Sequence, residues 1–420
     1  MSSAPAGNRR LLARTLPVLA AAAVSLATFA SPAAGAAEQS ATWRPDLSTV
    51  TDDDSNVVTT GGTVRLDNLA VSPASARTDQ RFGMLVADTH QLSQPANTVS
   101  AAVDATVPAG SQLAVEVRGQ RADGQWSEWT EATADSPAVL PYSTTSVQAR
   151  LSLTAPNAAA SPQVRGLSLT ASTTEAAPTA RLAAASAGNT YRIYATREGL
   201  VGGTTANGHV ITSRDHFVAL PSRRGLSSKG TGTYSVRLCT TGTSVRCEWA
   251  PVWDVGPWNI ADDYWNPSDV RQMWQDLPQG KPEAQAAYQD NYNNGYDDGL
   301  SQRNRKPTNP AGIDLADGTF WDGLKLSDNS WLNVTYLWTG TGPAGTIKTA
   351  GDPVNVRSAP KLSATQVGLG ANYAQVRVEC QTTGDTVTGS GGTSNVWYRI
   401  NTNMYVSKVY VTGVSGAATC

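Results

Sequence analysis

Two short runs each set one carboxylate directly after an apolar β-type stretch: Pro251-Val252-Trp253-Asp254-Val255-Gly256-Pro257-Trp258 and Gly312-Ile313-Asp314-Leu315-Ala316. The Gly-Pro after Asp254 forces a tight turn and cannot continue a central strand. The context predicts an Asp held at a strand end, at the mouth of a small β-barrel. Two such carboxyls in one cleft are the minimum apparatus for acid/base chemistry on a glycosidic bond. The same motif has a structural reading, in which Asp254 only caps the backbone of its own turn. Trp253 and Trp258 flank Asp254 and would desolvate it, and aromatic faces supply binding area for pyranose rings. Asp262-Asp263 before Tyr264-Trp265 would either line the same cleft or form a solvated turn, and Asp297, Asp298 and Asp317 read as loop residues.

Other chemistries find little support. There is no Gly-x-Ser-x-Gly elbow, and the chain has only three histidines. Four cysteines, Cys239, Cys247, Cys380 and Cys420, contain no CxxC, so no metal site and no cofactor is expected. An even count in an exported chain reads as disulfides, with three pairings open. Cys239 with Cys247 would clip a hairpin, and Cys380 with Cys420 would tie down the C-terminus. The loop-entropy relation gives roughly 2.5 kcal/mol for the short loop and about 4 for the long one. A formal charge of −2 gives no electrostatic reason to expect nucleic acid or an acidic membrane surface as partner.

The elements that must position these residues follow from the rest of the chain. Arg9, Arg10 and Arg14 precede an apolar run over 16–30, and Ala34-Gly35-Ala36 offers a cleavage site, so residues 1–37 read as a signal peptide. That run is too short for a comfortable membrane span and no later segment approaches one, so the expected location is secreted, extracellular or cell-wall associated. The composition reads as mainly β. Period-two alternation over 99–107, 112–118, 146–153 and 164–170 predicts a β-sandwich over 41–175. Trp126 and Trp129 within it would face opposite sides of a strand, one into the core and one available for stacking. Residues 176–189 read as a linker. The aromatic-rich centre, 190–340, holds eight of the twelve tryptophans. Strands are expected at 191–195, 217–220, 234–239, 248–252 and 334–338, a helix at 283–291, and a long loop over 290–304. A second small β unit is expected over 346–413.

The centre resembles the double-psi β-barrel of the rare lipoprotein A family, and more distantly the expansin barrels. Three runs carry the likeness in family order: Thr205-Ala206-Asn207-Gly208, the Asp-x-Gly-Pro of Asp254 to Pro257, and Ile313-Asp314-Leu315-Ala316. The resemblance implies a six-stranded barrel that acts on peptidoglycan glycan as a lytic transglycosylase, with Asp254 as acid/base. The expansin likeness implies a role for Asp314. Family members pair the Asp with a His before a Leu-Pro, which makes His216, ahead of Leu220-Pro221, the third catalytic candidate and His209 a further one. Asn207, Trp253, Trp258, Tyr264 and Trp265 become the substrate-binding candidates. The family's Asp-Arg-Gly-Pro reads Asp254-Val255-Gly256-Pro257 here, so its cation is absent. The last unit resembles a bacterial SH3-like domain through Val354-Asn355-Val356-Arg357-Ser358, Trp397 and Tyr405-Val406. That likeness implies wall contacts at Asn355, Arg357, Trp397 and Tyr405. The sandwich is similar to modules fused ahead of secreted bacterial hydrolases.

The expected function is therefore a secreted protein that binds peptidoglycan or another cell-wall polysaccharide and cleaves it. The alternatives are a non-catalytic, expansin-like wall-loosening protein and a protein–protein scaffold. Oligomeric state has no signature in the sequence.

Overall fold

The computed structural model describes residues 40–67, 80–156, 160–174, 186–289 and 305–420. Residues 1–37, read above as a signal peptide, residues 176–185 of the expected linker, and the expected 290–304 loop with Asp297 and Asp298 lie outside the described residues.

Six strands close into a barrel: β1 (Asn189–Arg197), β2 (Val218–Leu220), β3 (Ser235–Thr240), β4 (Cys247–Val255), β5 (Ala311–Leu315) and β6 (Ser330–Tyr336). Around the wall the order is β2-β5-β1-β6-β3-β4, and β4 pairs back onto β2. The pairs β1–β5 and β2–β4 are parallel, and the other four are antiparallel. Apolar residues two apart point to the same face of a strand. Ile193 and Ala195 of β1, Val236 and Leu238 of β3, Ile313 and Leu315 of β5, and Leu332 and Val334 of β6 accordingly share one buried cluster. β4 runs three residues beyond the stretch expected from its apolar run, because Ala219 and Leu220 of β2 pair with Asp254 and Val255 to its very end. β6 stops at Tyr336, where the expected strand gives way to a 3-10 turn over Leu337–Thr339. The expected helix is present as Glu283–Gln289.

The region before the barrel is an all-antiparallel sheet of nine strands. Two long strands, His90–Thr106 and Ala138–Pro156, each serve several partners. Its own core includes Val64, Leu66, Val99, Val117, Leu151 and Leu169. Phe82, Met84 and Trp129 instead belong to the barrel's cluster, so this sheet is seated on the barrel through shared apolar packing. Trp129 is the core member of the expected aromatic pair, and Trp126 lies half-buried under the Arg118 guanidinium, 4.6 Å from the ring centre.

The barrel sheet continues into the C-terminal region, where Gln366–Gly370 pairs in parallel with the start of β4. A three-stranded sheet of Ala344–Ile347, Gln375–Arg377 and Val411–Thr412 packs there as well. Of the three open pairings, the chain adopts Cys239–Cys247 and Cys380–Cys420. The first joins directly opposed residues of β3 and β4. The second closes a sequence separation of 40 residues. Replacing Cys380 and Cys420 by Ser is expected to lower unfolding free energy by about 4 kcal/mol in chemical denaturation. A loss below about 1 kcal/mol would show that the reduced terminus is already held by its pairing with Gln381. No described helix is long and apolar enough to cross a membrane.

Candidate functional site

Strand register brings the two motif carboxylates together. Asp254 of β4 lies opposite Ala219 of β2, Ala219 lies opposite Asp314 of β5, and Asp314 lies opposite Thr196 of β1. One cross-strand row thus carries Asp254, Ala219, Asp314 and Thr196. Glu198, directly after β1, extends the ladder by donating its N–H to the Leu315 carbonyl at 2.8 Å.

The two aspartates sit differently. Asp254 is fully buried, and its Oδ1 accepts the Ala206 and Val255 N–H groups, each at 2.8 Å. Ala206 belongs to the Thr205–Gly208 turn, so two of the three motifs touch. That turn is held by Thr205 Oγ1, which donates to Asn207 Oδ1 at 2.7 Å, and Asn207 is itself fully buried. Gly208 has φ +87°, a conformation open to Gly and costly for other residues, and a Cβ there would meet Ser55 Oγ at 2.9 Å. Asp314 is half-buried and accepts the Thr196 hydroxyl.

Glu198 is the residue that motif reasoning missed. It is 7% exposed, and neither carboxyl oxygen meets an N–H or O–H donor among the described residues. Its neighbours are other carboxyls. Burial first, then Asp254 beside it, and then Asp314 and Asp317, hold its pKa well above the ordinary carboxyl range. Glu198 therefore keeps its proton to higher pH than an ordinary carboxyl does, beside the Asp254 carboxylate. Its signal in the sequence was the same as that of the two aspartates, a carboxylate ending an apolar strand.

Glu198 and Asp314 open into a cleft of about 450 Å³, with Trp258, Arg305, Lys306 and Asn329 on its walls. The half-buried Trp258 indole donates to the Arg305 carbonyl at 2.8 Å and meets Trp274 edge-on. Asp317 pairs with Arg197 at 2.8 Å beside this cleft.

His216 and Trp253 belong elsewhere. Trp253 falls where the β2–β4 register shifts, between the Val252 and Asp254 pairings, and its indole donates to the Thr231 carbonyl at 2.8 Å. It lines a second cleft, about 620 Å³, together with His209, His216 and Tyr373. His209 Nε2 meets Asp215 Oδ2 at 2.7 Å. His216 Nδ1 meets Oε1 of the fully buried Glu248 at 2.9 Å, and Thr319 Oγ1 donates to the same oxygen at 2.9 Å. Gly323 makes room for Glu248, because a Cβ there would fall 1.2 Å from Oε2.

Burial lowers the His216 pKa, and Glu248 more than offsets it, so the imidazole titrates above its ordinary range. That pairing stabilises the fold at acid pH and is lost as pH rises through the raised value. In Glu248→Gln, burial remains and the attraction goes. The His216 pKa read by proton NMR titration is then expected below 6.5, and a value still above 6.5 would contradict the pairing.

Tyr264 and Trp265 present no face to solvent. Both are fully buried; Tyr264 Oη donates to the Gly312 carbonyl at 2.8 Å, and the Trp265 indole donates to Glu128 at 2.6 Å. Asp262 and Asp263 are buried ion pairs, with Arg271 at 2.8 Å and Arg224 at 2.7 Å. Asn355, Arg357 and Trp397 line a third cleft of about 430 Å³. Trp397 is 2% exposed, and Tyr405 packs against its cluster.

A family model described as a domain of unknown function (DUF8814) matches residues 189–335. The match opens on the first residue of β1 and ends one residue short of the end of β6, so it frames the barrel. No curated protein matches the chain.

Proposed function

We propose that the chain is an exported cell-wall protein of the rare lipoprotein A kind, whose barrel cleft binds peptidoglycan glycan and cleaves it by acid/base chemistry. The observation that carries this reading is the row of carboxyls at three strand ends, with Glu198 and Asp314 facing one cleft. Burial among carboxyls raises the Glu198 pKa and suits it to the acid role, and glycosidic cleavage pairs such an acid with a carboxylate base. Glu198 gives its proton to the leaving glycosidic oxygen. The Asp314 carboxylate takes the proton of the sugar's C6 hydroxyl as that oxygen closes on C1, leaving an anhydro-sugar. The proton gained by Asp314 returns to Glu198, and no water is consumed. Asp254 holds the Glu198 proton in place and anchors the 205–208 turn. Trp258 supplies the stacking face. The C-terminal unit, read as SH3-like, adds wall contacts at Asn355 and Arg357.

The test is incubation with dye-labelled sacculi. Wild type is expected to pellet with sacculi and release dye; Asp314→Asn is expected to pellet and release none. Release at the wild-type rate from Asp314→Asn would overturn the assignment.

A second reading, wall binding without cleavage as in expansins, is favoured by one feature. The Asp of the Asp-x-Gly-Pro motif is fully buried and serves two backbone amides, while His216 stands in another cleft. It predicts pelleting with no release from any form.

A further inference from the structure

The 620 Å³ cleft floored by His216 and the 430 Å³ cleft beside Trp397 share the loop Gly351-Asp352-Pro353 as a common wall. The two clefts, adjoining at this loop and together called the groove, extend from the barrel onto the C-terminal unit and are lined by residues distinct from those of the carboxyl cleft. Trp253 and Tyr373, with ring centres 6.2 Å apart, wall its barrel end. His216 is oriented from behind by buried Glu248 through Nδ1, and Nε2 has no hydrogen-bond partner among the described residues. Asp352 stands exposed on the shared loop, and Asn355 is exposed three residues on.

These groups offer the half-buried Tyr373 ring, one oriented ring nitrogen, one carboxylate and one amide. Charges in the barrel half are largely paired internally: His216 with Glu248, His209 with Asp215, and Arg214 with Asp322 at 3.2 Å. A strongly cationic or anionic ligand would find little uncompensated charge there. A hydroxyl-rich, near-neutral ligand fits, because C–H faces of a sugar ring pack on aromatics while its hydroxyls both donate and accept.

We infer that this groove is a second glycan-binding site, holding several consecutive sugar residues across the barrel and the C-terminal unit, apart from the carboxyl row. It rests on the glycan reading above, but it requires binding only and no bond cleavage.

The test is titration of the mature protein with soluble N-acetylglucosamine oligomers, followed by amide NMR. The hexamer is expected to shift Asp352, Asn355 and Tyr373 signals and to bind at least tenfold tighter than the dimer. Tyr373→Ala and Asp352→Ala, changes at a half-buried and an exposed position, are each expected to weaken the hexamer several-fold. Dye release from sacculi by Glu198→Gln serves as the separate readout. Loss of release with groove binding intact leaves both readings standing. Unchanged release with binding intact overturns the carboxyl assignment alone. No shift in the groove, or equal affinity for dimer and hexamer, overturns the groove proposal.

Discussion

Glu198→Gln is expected to lose at least a hundredfold in glycan release while gaining thermal stability at neutral pH. Gln keeps the shape, but it has no proton to give to a leaving oxygen. Removing a positioned general acid costs on the order of 10²–10⁴ in rate. The stability gain follows from linkage. Burial and the neighbouring Asp254 raise the folded pKa of Glu198 well above the ordinary carboxyl range. Such a group destabilises the fold progressively as pH rises from the ordinary carboxyl range to the raised value. The variant's excess in melting temperature is therefore expected to grow between acid and neutral pH, and to vanish near pH 4. Equal melting temperatures across that range would mean that Glu198 is ionised and solvated in the fold.

The largest structural effect is expected from Trp129→Ala, a loss of about 3–5 kcal/mol in chemical denaturation. Trp129 is 1% exposed and carries the antiparallel sheet onto the barrel core. The Arg118 and Arg150 guanidinium carbons lie 4.2 and 4.5 Å from its ring centre. Arg150 is buried with them and makes two hydrogen bonds to Glu116, at 2.7 and 2.8 Å. Deleting the indole opens a cavity and exposes two buried cations to a void, so the cost exceeds simple transfer of the side chain. Trp129→Phe is expected to keep part of the stability. A loss below 1 kcal/mol for Trp129→Ala would show that the sheet is not held to the barrel through this ring.

The class of fold was readable because its strands alternate or run apolar where they are buried, and because Gly-Pro marks the end of β4. The carboxyl row was only half readable. Asp254 and Asp314 stood out as strand-end acids, yet register, which no local pattern encodes, set them on either side of Ala219. Glu198 carried the same signature without a motif around it. The aromatic residues misled in a consistent way: Tyr264 and Trp265 follow two aspartates and look cleft-facing, but their polar tips find buried partners in Gly312 and Glu128, and the rings are core. His216 lies close in sequence to β2, yet it points to Glu248 across the wall, a contact invisible without the fold. Glu248 itself was read only as part of a strand, since a buried carboxylate on an apolar strand has no local signal.

The most direct test of the carboxyl row is mass spectrometry of the fragments released from purified sacculi by wild type, Glu198→Gln and Asp314→Asn. The account predicts fragments ending in anhydro-sugars from wild type and none from either variant. Reducing-end products would replace ring closure by attack of water on the same site. No soluble product from wild type, with the protein pelleting on the sacculi, would contradict cleavage and leave a barrel that only binds.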